Sequence, residues 1–169
     1  MFAVGRRDAV DRIIEQWVNV RADIDISPIA VIGRVSRLSR LVDRRLSENF
    51  ARFGIEAWMY DVLATLRRSG APYELTAGEL VGQAMVTTGA ITNRIDRLEA
   101  RGYVQRLTAP DRRKVIVRLT TDGLDLVDEV VHAHVATERE LLAALTLDQR
   151  ESLAGLLRTV LLDLGDDSL

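Results

Sequence analysis

Thr87–Thr120 reads TTGAITNRIDRLEARGYVQRLTAPDRRKVIVRLT. Wound as a helix at about 100° per residue, its first half places Ile91, Ile95 and Leu98 on one face. Gly89, Thr92, Asn93 and Asp96 fall opposite, with Arg97 at the edge of that polar side. The apolar face packs inward, and the other face is small and polar. Gly102 stops the helix. Two β-type runs follow, Tyr103–Leu107 and Lys114–Leu119, joined by an exposed loop that holds Pro110 and Asp111. Helix, stop and hairpin in this order predict a recognition-type helix followed by a wing.

The charge of this stretch differs from that of the rest of the chain. The 169 residues carry a net charge of −2, yet Thr87–Thr120 holds eight basic and three acidic residues, a local excess of +5. A basic strip on an acidic body implies an anionic partner that meets one surface. Lys114 is the only lysine, so the positive charge is almost all guanidinium, which forks onto phosphates and base edges. Cysteine is absent, which excludes disulfides, thiol catalysis and thiol redox sensing and fits a cytoplasmic location. No apolar run is long enough to span a membrane, and no secretory signal is evident. His132 and His134, the only histidines, point apart on a helix, so no metal site is expected. No nucleophile–base set or phosphate-binding glycine loop supports an enzyme, and no cofactor is expected.

Working outward, apolar residues at helical spacing predict a first helix over 8–20. Ser27 with Pro28 signals the start of a long helix running to about Phe53, where Gly54 ends it. A further helix covers Glu56–Arg68. The Thr76/Glu79 pair is a capping box for a short helix through about Met85. Beyond the hairpin, helices are expected over Asp122–Leu145 and, after a Thr146/Gln149 capping box, Leu147–Leu164. The fold class is mainly α, a winged helix-turn-helix with a two-stranded β-wing and long terminal helices. It divides into N-terminal helices (1–53, with the extra helix 8–20), a DNA-binding domain (54–121) and C-terminal helices (122–169). The long apolar stripes of the flanking helices suit a two-fold homodimer. Packing of the two ends on each other is the alternative.

On the polar face, Thr92 and Asn93 suit base edges and thymine methyls in a major groove, and Arg97 suits a guanine or a phosphate. Thr87 and Thr88, at the positive end of the helix, suit a phosphate. The text DVLATLRRSG (61–70), LTAGELVGQAMVTTGAITNRIDRLEARGYVQR (75–106) and APDRRKVIVRLTTDG (109–123) resembles the MarR family of winged helix-turn-helix transcription factors. The resemblance implies a homodimer on a palindromic, double-stranded DNA operator, usually repressing and released by a small molecule. It also implies that Asp111 orients Arg113 into a minor groove, with Arg112 as its phosphate neighbour.

Arg94 differs from Arg97. It lies beside the buried stripe, where a charged group needs a partner. A carboxylate such as Asp61 is one candidate and an anionic ligand the other. The chain is similar to the urate-responsive, PecS-like branch of the family, on Trp17 in EQWVNV, Asp61 in YDVLATL, Arg94 in TNRID and Arg106 in YVQRL. That resemblance implies that Trp17, Asp61, Arg94 and Arg106 bind urate or a related purine. An indole supplies a stacking surface and guanidiniums neutralise the anion. A response to phenolic acids or other aromatic anions, or a winged helix that binds only proteins, are the competing readings.

Overall fold

The computed structural model describes residues 6–84, 91–108 and 114–166. Helices α1 (Ala9–Val20), α2 (Ser27–Ala51) and α3 (Ala57–Arg68) come first. They are followed by β1 (Glu74–Thr76), α4 (Ala77–Gln83), α5 (Ile91–Ala100), β2 (Val104–Thr108), β3 (Val115–Leu119), α6 (Thr121–Leu141) and α7 (Leu147–Asp163). Contacts divide the chain into two units, 1–45 and 46–169. The second unit includes both the winged helix and the C-terminal helices.

In the first unit, Asp8 and Asp11 form a reciprocal capping box at the start of α1. Arg34 on α2 donates to Asp8 at 2.9 Å and Asp11 at 2.7 Å. Val10 is buried against Gly33, where an added Cβ would lie 3.2 Å from a Val10 methyl. Just before α2, the Asp25 carboxylate accepts the Ser27 N–H at 2.9 Å. Val31, Ile32, Val35, Leu38 and Leu41 remain exposed on α2.

In the second unit, one core joins α3 (Met59, Val62, Leu63, Leu66), Leu80 of α4, Ile91, Ile95 and Leu98 of α5, the sheet (Val104, Val117, Leu119) and Val127 and Val130 of α6. The expected α5 stripe is thus the buried one. The sheet has three antiparallel strands in the order β1-β3-β2, not the two expected. β1 pairs Glu74 with Arg118 and Thr76 with Ile116, and an ion pair joins Glu74 to Arg118. Three residues ending in the α4 capping box give no visible alternation, so local pattern missed the strand. Arg67 at the end of α3 donates to Asp128 of α6 at 2.7 Å and lies over the Tyr73 ring. α7 has no buried residue and exposes Leu156, Val160 and Leu161 among others.

Candidate functional site

α5 presents Thr92 and Asn93 exposed in its first turn. Thr87, Thr88, Asp111, Arg112 and Arg113 lie outside the described residues. The arginines of α5 follow a plan that the helical wheel alone does not show. Arg94 and Arg97 on α5 and Arg101, just past its end, are spaced three and four apart and so line up in one row. All three meet the segment that opens α3. Arg101 donates to the Gly54 carbonyl at 2.7 Å and lies 3.7 Å from the Met59 sulfur. Arg97 donates to Glu56 at 2.5 Å and lies over the Trp58 ring, 4.7 Å from its centroid. Arg94 lies over the same ring at 5.6 Å.

Trp58 closes this arrangement. Its indole N–H donates to the second Glu56 carboxylate oxygen at 2.8 Å. The Trp58 N–H first, and the Arg97 guanidinium second, hold the Glu56 carboxyl below its ordinary range. Arg97 was expected at the groove edge. It is half exposed, with one nitrogen committed to Glu56. Trp58 is the site residue that the sequence reading missed. Its signal was an aromatic residue at the start of the helix that precedes the helix-turn-helix, opposite a row of arginines.

Two of the four expected ligand residues come to one region. Asp61 follows Trp58 by three residues on α3, so the two side chains are neighbours on that helix. Asp61 is partly buried, with its Oδ2 fully shielded. Arg94 is partly buried, and its Nη1 is shielded without a hydrogen-bond partner among the described residues. Arg106 is placed otherwise. From β2 its guanidinium donates to Asp96 and Glu99 of α5, and its backbone N–H donates to Glu99 at 3.0 Å. Burial pulls the Arg106 guanidinium down in pKa, but the hydrogen bonds to Asp96 and Glu99 outweigh it and the net shift is upward. It thereby neutralises two carboxylates of α5. Trp17 belongs to the first unit, with its indole about half exposed.

Electrostatically, α5 therefore carries a neutralised acidic edge (Asp96 and Glu99 with Arg106), an arginine row and an uncharged Thr92–Asn93 tip. This is a surface that can approach a polyanion. A family model described as MarR family matches residues 53–114. The chain is 40% identical to the HTH-type transcriptional regulator PecS of Dickeya dadantii, over 89% of this chain and 92% of that protein. An operator-DNA complex of a cysteine-to-serine variant of MarR from E. coli superposes with a TM-score of 0.70 at 32% identity, covering 81% of this chain and 96% of the other. BpsR of Bordetella bronchiseptica, whose DNA binding is regulated by 6-hydroxynicotinic acid, superposes at 0.69 with 26% identity, covering 77% and 91%.

Proposed function

This chain belongs to the MarR family of DNA-binding transcriptional regulators, in its PecS-like branch, and from that premise we propose that it is a homodimeric repressor released from a palindromic operator by a small aromatic anion, urate or a related purine. The observation that carries the reading is Arg94. Its guanidinium keeps one buried nitrogen without a hydrogen-bond partner among the described residues, on the helix that exposes Thr92 and Asn93. A buried donor that no described residue matches is costly to hold, and a planar anion that accepts from it removes the cost. Asp61 nearby offers an acceptor to the N–H edge of a purine. An anion drawn to Arg94 also meets the like charge of Asp61, so the two helices shift relative to each other, and the bases lose Thr92 and Asn93. Coupling of this kind is reciprocal: operator binding weakens ligand binding by the same factor.

The homodimer is supported by the apolar rows on α2 and α7, each left exposed in the single chain. Rows of this length in a soluble regulator are covered by a second copy. The nitrogen heteroaromatic acid that regulates BpsR favours a heteroaromatic over a simple phenol, which is the second reading.

The test is an operator-binding titration in moderate salt, with urate, xanthine, 6-hydroxynicotinate and salicylate added separately. Release by urate at sub-millimolar concentration is expected, with the purines ahead of salicylate. A complex indifferent to millimolar urate but released by salicylate would give the site to phenolic anions. Light scattering of the purified chain checks the dimer.

Arg106 supplies a separate prediction. Its removal leaves Asp96 and Glu99 uncompensated on the helix that approaches phosphates. Arg106→Ala is expected to weaken operator binding about fivefold at physiological salt, since screened charges a few ångströms from the backbone still repel it. Adding Asp96→Asn and Glu99→Gln should restore most of that loss. A triple variant as weak as Arg106→Ala alone would show that the arginine acts by direct contact instead.

A further inference from the structure

We propose that Trp58 is a positioning residue for operator recognition, setting the rotation of α5 about its own axis so that Thr92 and Asn93 meet base edges in register. That rotation depends on the contacts α5 makes on either side of its buried stripe. α5 has ten residues, of which Ile91, Ile95 and Leu98 are buried. Three apolar side chains on one narrow stripe hold a helix at a set distance from the core, but they allow it to roll. Fixing the roll needs a second line of contacts at another azimuth.

Arg106 of β2 supplies one such line through Asp96 and Glu99, and the row Arg94–Arg97–Arg101 is the other, on the α3 side. Its three contacts differ in kind. Arg101 is tied to a backbone carbonyl at the foot of the helix, at Gly54. The Arg97–Glu56 ion pair is half exposed on both sides, so salt screens it and its own contribution is small. The indole is the rigid element. It is partly buried at the start of α3, receives guanidiniums from two successive turns of α5, and uses its N–H to hold Glu56 where Arg97 meets it. With guanidiniums 4.7 and 5.6 Å from the centre of one rigid ring, a roll of the helix in either direction disturbs both contacts.

The consequence falls on recognition rather than on general affinity. Base contacts need side chains placed within about 0.5 Å and 10–20°. Contacts to phosphates tolerate looser placement, and they carry no sequence information. A loosened roll therefore lowers the preference for the operator over unrelated DNA and leaves non-specific binding in place. This separates a positioning role from a general weakening of the fold, which lowers the competent fraction for both duplexes equally.

The experiment uses the full chain with Trp58→Phe and Trp58→Leu. Dissociation constants are measured for an operator duplex selected from a random pool and for an unrelated duplex of equal length, together with the melting temperature. Trp58→Leu is expected to weaken operator binding about fivefold while changing the unrelated duplex less than twofold. Trp58→Phe keeps an aromatic face and should recover most of the operator affinity. Glu56→Gln, at an exposed position that the core does not use, should show a smaller loss of the same operator-only kind, and it serves as the test if the leucine variant melts at low temperature. Equal losses on both duplexes, or unchanged operator binding in Trp58→Leu and Glu56→Gln, would overturn the proposal.

Discussion

A chain carrying Gly123→Ala is expected to melt about 10 °C below the wild type, the result of losing about 3 kcal/mol. Gly123 lies in the first turn of α6, and an added Cβ there would stand 2.0 Å from the Tyr103 carbonyl oxygen and 2.9 Å from its carbon. Both atoms are backbone, so no side chain can swing aside. That carbonyl also accepts the Thr120 N–H at 3.1 Å, while Thr120 Oγ1 accepts the Gly123 N–H at 3.1 Å and donates to the Gly102 carbonyl at 2.6 Å. The methyl therefore forces apart the end of α5 and the start of α6 and weakens the α6 cap with them. Because Tyr103 leads into β2, the hairpin shifts too, and operator binding falls with stability. A melting temperature within 2 °C of wild type would mean that the junction relaxes at no cost, contrary to its packing.

The motif that ends in Gly123 was legible in the sequence, whereas the reason for the glycine was not. Periodicity placed Ile91, Ile95 and Leu98 on the buried face of α5 because a short amphipathic helix has only one way to bury that stripe. The hairpin over β2 and β3 was legible for the same local reason. β1 was not: its residues gain strand geometry only by pairing with Arg118–Ile116, 40 to 44 positions away. The site divides along the same line. The wheel put Arg94 beside the core and Arg97 toward solvent, and their burial follows that order. It could not show that one indole spans the 60° between them, since Trp58 enters from α3. Arg106 was read as a ligand contact by resemblance. That β2 runs beside α5, delivering Arg106 to Asp96 and Glu99, is a fact of topology and not of spacing.

Replacing Arg94 by methionine is expected to raise the urate concentration for half-release of the operator more than tenfold while leaving operator affinity within about threefold. Methionine keeps an unbranched stem of similar reach, so packing beside Leu98 and over Trp58 is largely retained. What is removed is the charge, with its 5.6 Å cation–π contact to Trp58, and the shielded Nη1 donor, while Arg97 keeps the nearer place over the ring at 4.7 Å. The sign of the stability change distinguishes the two readings of this arginine. If Arg94 serves the fold, its loss strands the groups it compensates, and the melting temperature drops by several degrees. If it is held ready for a ligand, the free protein loses a buried donor that no described residue matches, and the melting temperature stays level or rises, as expected where a binding site is kept at the expense of stability. A variant that melts as wild type and is still released at the wild-type urate concentration would remove Arg94 from the ligand site. A variant that is less stable and still responsive would make it a structural residue of the α3–α5 contact.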